Sequence, residues 1–178
     1  MDAGWQQPLE SEEAGSGRPM PLRLAIVSGS TRAGGFGDRI AQWIAGESTR
    51  HGGYEVDLVD LRACDRLGWV AAGKDRAGEE FLKRIERADA IVIVTPEYNH
   101  GYPATLKHAI DLGYSEWHAK PVGFVSYGGM SGGLRAVEQL RQVFSELHTV
   151  TMRDTVSFHR VHQAFDEAGA LRDPEGAG

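Results

Sequence analysis

Apolar positions along this chain alternate between two rhythms, one unbroken or of period two, the other spaced like a helix. Residues 22–27, LRLAIV, form an apolar run that stops at Ser28, Gly29 and Ser30 and predicts a strand. Beyond the glycines, Ile40, Ala41, Ile44 and Ala45 stand at helical spacing, and this helix ends near His51, Gly52 and Gly53. Residues 54–61, YEVDLVDL, set Val56 and Leu58 against Asp57 as a second strand. Residues 79–88 place Phe81, Leu82, Ile85 and Ala88 on one helical face, and 90–95, AIVIVT, is a third strand. A helix from about Pro103 to Trp117, a strand over 121–126 and a helix over 134–147 continue the pattern. In the last helix Val137, Leu140, Val143, Phe144 and Leu147 make one stripe. A final strand, 149–158, alternates Val150 and Met152 with polar neighbours.

Strands alternating with helical crossovers predict a parallel sheet covered on both faces. The strands beginning at Leu22, Ala90 and Pro121 are almost wholly apolar, as interior strands are. Those at Tyr54 and Thr149 carry charge, as edge strands do. Three interior and two edge strands fit an α/β, flavodoxin-like three-layer sandwich with a five-stranded sheet of order 2-1-3-4-5. The ligand crevice of that arrangement lies at the carboxyl ends of the first and third strands. Residues 1–21 and 173–178 lack periodicity and are rich in Gly, Ser, Pro and acid, which predicts two tails flanking one domain, 22–172. A domain of that size hides about 70% of its unfolded surface.

Charge narrows the function. Lys plus Arg number 19 against 25 Asp plus Glu, a net charge of -6, which argues against a general nucleic-acid binder. The chain has 1 cysteine, Cys64, which excludes an internal disulfide and a multi-cysteine metal site. No apolar run reaches the roughly 18 residues of a membrane span, and the first residues do not read as a secretory signal. A cytoplasmic protein is the expectation.

Three loops stand out, and the predicted topology gathers them at one edge of the sheet. The first, GSTRAGGFG at 29–37, sets Ser30, Thr31, Arg32, Gly35, Phe36 and Gly37 directly before a helix. Free backbone N–H groups, the helix dipole and one guanidinium suit a phosphate. The loop has neither a P-loop lysine nor the G-x-G-x-x-G register, so a single monophosphate fits better than a dinucleotide. The alternative is a plain glycine-rich connection. The second loop, TPEYNHGYP at 95–103, carries Pro96, Glu97, Tyr98 and Asn99 after the most apolar strand. Its prolines restrict it, and Tyr98 offers a face for a flat aromatic ring, or else merely covers a hydrophobic gap. The third, SYGGMSGG at 126–133, sets Ser126, Tyr127, Gly128 and Gly129 where backbone can approach a ring closely.

GSTR at 29–32, PEYNHGYP at 96–103 followed by LKHAID, SYGG at 126–129, and the later AVEQLRQVF and FDE together resemble the NADPH-dependent FMN reductases of the flavodoxin-like fold. The resemblance runs from Leu22 to about Pro174. It implies that Ser30, Thr31 and Arg32 hold the FMN phosphate, with Gly35, Phe36 and Gly37 closing the loop. It implies that Pro96, Glu97, Tyr98 and Asn99, with Ser126, Tyr127, Gly128 and Gly129, cradle the isoalloxazine. NADPH or NADH would be the hydride donor. Free flavin, a quinone, an azo compound or a metal oxyanion would be the acceptor. Direct hydride transfer needs no side-chain acid or base, so no catalytic residue is assigned. The segment 62–69, RACDRLGW, departs from the proline-rich loop of such proteins. Relatives pair through helices beside the flavin, which implies a homodimer or a dimer of dimers. Apolar Leu106, Ile110, Leu112, Tyr114 and Trp117 exceed what one crossover helix needs and point the same way.

Two other readings stay open: a flavodoxin-like electron carrier without a nicotinamide site, and an NAD(P) dehydrogenase without flavin. Asp60, at the end of the second strand, is where the latter would hold a ribose hydroxyl. The pairs His100 and His108, and His159 and His162, lack a carboxylate pattern, so no metal site is expected. Lys83, Glu86, Arg87 and Asp89 read as a solvated helix face.

Overall fold

The computed structural model describes residues 20–63, 76–166 and 170–172. Five parallel strands, β1 (Leu22–Ser28), β2 (Tyr54–Asp60), β3 (Ala90–Pro96), β4 (Pro121–Tyr127) and β5 (Val150–Phe158), line up in the order β2-β1-β3-β4-β5. The helices are α1 (Phe36–His51), α2 (Arg76–Arg87), α3 (Ala104–Asp111) and α4 (Leu134–Glu146). Edge and centre fall where the charge pattern puts them. In β1, β3 and β4 most residues are buried, whereas β2 buries Val59 and β5 buries Phe158.

Period two sorts each central strand between two cores. Ala25, Val27, Ile91, Ile93, Val122 and Phe124 face α2, α3 and α4, meeting Phe81, Ile85, Leu106, Ile110, Leu140 and Phe144. Leu24, Ile26, Val94, Val125 and Tyr127 face the other way, onto Ile40 and Ala41 of α1 and onto Phe158, Val161 and Phe165. Fully burying one such aliphatic or aromatic side chain contributes about 1.5–3 kcal/mol, so both layers are needed to hold the sheet.

One element differs from its sequence pattern. The helix expected to run to Trp117 ends at Asp111, and Ser115–Trp117 form a separate 3-10 turn. Gly113 lies in the link between them. A Cβ there would lie 2.5 Å from Leu82 Cδ2, so the backbone passes too close to α2 for a larger residue. The Trp117 indole N–H donates to the Ile110 carbonyl at 3.2 Å, which also accepts the Gly113 N–H at 3.4 Å. Trp117 is fully buried against Phe81 and Phe144. This corrects the argument for excess apolar surface. Leu106, Ile110 and Trp117 lie in the chain's own core, and of the five residues only Tyr114 is exposed.

Register brings the three unusual loops together. Ser28 pairs with Val94, Pro96 with Tyr127, and Tyr127 with Phe158, so β1, β3 and β4 end at one edge.

Candidate functional site

At that edge lies a cleft of about 200 Å³ lined by nine of the fourteen residues singled out in the sequence. They are Ser30, Arg32, Gly35 and Phe36 from the first loop, Pro96, Glu97 and Tyr98 from the second, and Tyr127 and Gly128 from the third. A larger groove of about 890 Å³ runs along β5 beside Leu134, Gly123 and Met152. It is mainly apolar and lies away from the glycine-rich loops, so size alone does not mark the site.

The first loop ends in an uncapped helix. Gly35 is the N-cap of α1 and supplies no side-chain hydrogen bond, which leaves N–H groups at the start of α1 for another acceptor. Ser30 is buried and accepts the Arg32 N–H at 3.4 Å. Asp38, in the first helical turn, accepts the Gly34 N–H at 3.2 Å and so closes the loop from the far side. Its charge would repel an anion, but Arg62 donates to it at 3.0 Å and also holds Asp60. Burial raises the Asp60 carboxyl, and the Arg62 hydrogen bonds and charge outweigh this and hold it below its ordinary value. Asp60 is therefore engaged in bracing the loop, not presented to a ribose.

Tyr127 lines the cleft from below. Its side chain turns under α1, is buried, and is hydrogen-bonded to Ser30; burial pushes its phenol up to about 12. A Cβ on Gly37 would lie 2.5 Å from the Tyr127 hydroxyl and 2.9 Å from Ser30 Cβ. Gly37 is thus the residue that lets α1 sit down on the end of β4. Thr31 is half-buried beside the cleft.

The second loop is a tight hairpin turn. Tyr98 and Gly101 exchange backbone hydrogen bonds at 2.8 and 3.1 Å, and Asn99 and His100 between them have φ of 50° and 74°. Two consecutive left-handed residues are the type I′ geometry, in which asparagine is favoured. Gln139 of α4 donates to the His100 carbonyl at 2.8 Å and steadies the turn. Tyr98 stands at the rim, 37% exposed, with the Arg32 guanidinium 5.3 Å above its ring. Asn99 is exposed at the tip.

The third loop is tied from behind. The fully buried Ser126 hydroxyl and Ser157 each donate to the Gly132 carbonyl at 2.9 Å. Ser126 therefore shapes the loop and does not open its hydroxyl to the cleft. Gly128 N–H donates to Phe158 O, while Arg160 and Val161 N–H groups donate to Gly129 and Gly128 carbonyls. Val161 adds a cleft residue that no sequence signal marked. Glu97 crosses from the second loop to Ser131 and Arg135, and neither partner was apparent because both lie more than thirty positions away.

A phosphomonoester fits these residues. Of two helices that begin here, α4 already has a carboxylate, Glu97, on the Arg135 N–H, whereas α1 has none on its cap. Among the described residues Ser28 Oγ, just before the loop, is a buried polar side-chain atom without a partner. His159 Nδ1 is bonded to the Met130 carbonyl, and no cluster of three metal-ligating side chains occurs among the described residues. Cys64 lies outside them.

The sequence model of the NADPH-dependent FMN reductases matches residues 22–163. An NAD(P)H-dependent FMN reductase of Schizosaccharomyces pombe is 37% identical over 130 residues, 68% of this chain and 64% of that protein. That is a little under two thirds of the relative's length. A probable NADPH:quinone oxidoreductase of Oryza sativa is 34% identical over 173 residues, 90% of this chain and 84% of the relative. Among solved structures, the flavoenzyme NAD(P)H:acceptor oxidoreductase FerB of Paracoccus denitrificans superposes with a TM-score of 0.62 at 25% identity, covering 85% of this chain and 87% of that one.

Proposed function

The chain belongs to the NADPH-dependent FMN reductase family, and on that premise we propose that it is an FMN-dependent NAD(P)H oxidoreductase acting on flavin or quinone acceptors. The observation that carries this reading is the uncapped start of α1 facing a cleft whose other walls are the Tyr98 turn and the Gly128 loop. Bound FMN would supply the two-electron redox chemistry between NAD(P)H and the acceptor.

The protein's own residues place and bias that group. Arg32, Ser30, Thr31 and the N–H groups at Gly35, Phe36 and Gly37 take the phosphate, with Arg62 cancelling the Asp38 charge behind them. Pro96, Glu97, Tyr98 and Asn99 form one wall for the ring, held in shape by the type I′ turn. Gly128 and Gly129, with Ser126 and Tyr127 shaping them from below, form the other, where bare backbone allows a close approach. No side chain is assigned a proton-transfer role.

The finer parts of the reading have separate support. A homodimer or dimer of dimers draws support from Met130, 89% exposed, and Leu134, 44% exposed, on the loop beside the cleft and the helix after it. A cytoplasmic setting suits a consumer of NAD(P)H with a single cysteine. One domain over 22–172 suits the sheet that the family match spans. Flavin titrations test the central reading. FMN should quench on binding at least about tenfold more tightly than riboflavin, which lacks the phosphate. Equal affinity would remove the phosphate site.

A further inference from the structure

The two walls of the cleft are joined by an ion pair. Gly133, the N-cap of α4, has φ of 90° and brings no side-chain cap. The cap comes instead from the loop after β3. Glu97 Oε2 accepts the Arg135 N–H at 3.2 Å and the Ser131 hydroxyl at 2.8 Å. The Arg135 guanidinium pairs with Glu97 Oε1 and donates to Ser131 Oγ at 3.1 Å. The Glu97 side chain is only 5% exposed and that of Arg135 is 49% exposed.

The loop that Glu97 grips has little slack. A Cβ on Gly133 would lie 2.7 Å from Ser126 Cβ, and one on Gly128 would lie 3.3 Å from Gly133 N. Glu97 Cβ is itself 3.7 Å from that Gly128 position. Gly128 and Glu97 both line the cleft. A movement of Glu97 is therefore passed to the backbone that faces the ring.

We propose that Glu97 and Arg135 form a charge-balanced clamp. The pair fixes the separation of the two loops, and its buried negative member, offset by a half-exposed positive one, sets the redox potential of FMN bound between them. Glu97 is on this account a positioning residue, and the inference rests on the FMN-reductase reading above. Burial opposes the charge of Glu97, but the hydrogen bonds from Ser131 and Arg135 and the Arg135 charge outweigh it, so the carboxyl lies below its ordinary value and is ionised at neutral pH.

The charges give a test that simple loosening does not reproduce. Wild type, Glu97→Gln, Arg135→Met and Arg135→Lys are loaded with FMN, and the midpoint potential is measured at about pH 8, far above the ordinary carboxylate range. Glu97→Gln removes the negative charge but keeps an acceptor for Ser131 and Arg135, so the potential moves positive. Arg135→Met leaves the carboxylate uncompensated, so the potential moves negative, and Arg135→Lys returns it towards wild type. Each shift corresponds to a change of about fivefold or more in the ratio of affinities for reduced and oxidised FMN. Melting curves of the apoproteins identify a variant that does not fold, and Arg135→Gln then replaces Arg135→Met. Shifts in the same direction for both charge variants, or no shift in either, overturn the clamp. Wild-type protein that takes up no FMN overturns the reductase reading and the clamp with it, whereas wild type that binds FMN with unmoved variants overturns the clamp alone.

Discussion

Replacing Gly37 by alanine tests the packing that puts the start of α1 in place. In an ordinary helix interior this change is favourable by roughly 0.5–1 kcal/mol, because glycine loses more backbone freedom on folding. Here the new methyl would meet the Tyr127 hydroxyl at 2.5 Å and Ser30 Cβ at 2.9 Å, far inside the roughly 3.5–4.0 Å optimum for carbon contacts. Both neighbours are buried and have little room to withdraw. Overpacking of this kind costs about 1–3 kcal/mol, which exceeds the helix gain, so Gly37→Ala should destabilise by about 1–2 kcal/mol. Gly46, in the same helix, has nothing within 4 Å of where a methyl would stand, so Gly46→Ala should stabilise by about 0.5–1 kcal/mol. Tyr127→Phe removes the closest clashing atom at the cost of one hydrogen bond to Ser30, about 0.5–1.5 kcal/mol. The double variant should then be more stable than the sum of the two predicts, by at least about 0.5 kcal/mol. Urea denaturation curves with unchanged slope provide the numbers. Additive effects, or a Gly37→Ala protein as stabilised as Gly46→Ala, would refute the reasoning.

Arg32→Ala removes a charge-assisted contact of about 1.5–3 kcal/mol, and FMN titration should show affinity falling roughly 10- to 150-fold; an unchanged value excludes Arg32 from the site. Tyr98→Ala gives up aromatic stacking of about 0.5–1.5 kcal/mol and should retain measurable FMN binding. Its flavin reduction by NADPH should fall further than its FMN affinity, since a displacement of about 1 Å costs roughly 100-fold in rate; equal losses in stopped-flow and titration would count against this. Glu97 has a folded-state value depressed below 4.5, so its contribution to stability is complete above that pH and disappears as pH falls through the folded value. The stability gap between wild type and Glu97→Gln should stay level at neutral pH and narrow below about pH 4.5 in denaturation series, and a gap that widens on acidification contradicts the ion pair.

Much of the fold was written in short-range pattern. The unbroken apolar runs at Leu24–Val27 and Ile91–Val94 announce strands covered on both sides, and the charges in β2 and β5 announce edges. Parallel pairing then forces the loops after β1, β3 and β4 to one edge, which is why three weak signals made one site. What was not legible depends on contacts distant in sequence. Gly113, just after α3, passes close to Leu82, thirty-one positions away, and no local period carries that. The bond of the Tyr127 hydroxyl to Ser30 joins β4 to the first loop, and the glycine-rich motif around Tyr127 carries no sign of it. The spacing of two between Tyr127 and Val125, out of phase with Phe124, already assigned Tyr127 to the α1 face of β4. The bond of Glu97 to Arg135 and the brace of Arg62 on Asp38 likewise join a loop to a helix distant in sequence. One missed feature had a local trace: an acid three residues after Gly35, the spacing at which Asp38 closes a helix start.

The central claim is that this cleft lets NAD(P)H reduce FMN. It is tested most directly by mixing the FMN-loaded protein with excess NADPH or NADH in the absence of oxygen and following the oxidised-flavin absorbance. The account predicts that the yellow colour bleaches within seconds with at least one of the two donors, and returns when a quinone such as benzoquinone is added. Flavin that stays oxidised for minutes under saturating NADPH and NADH would contradict it.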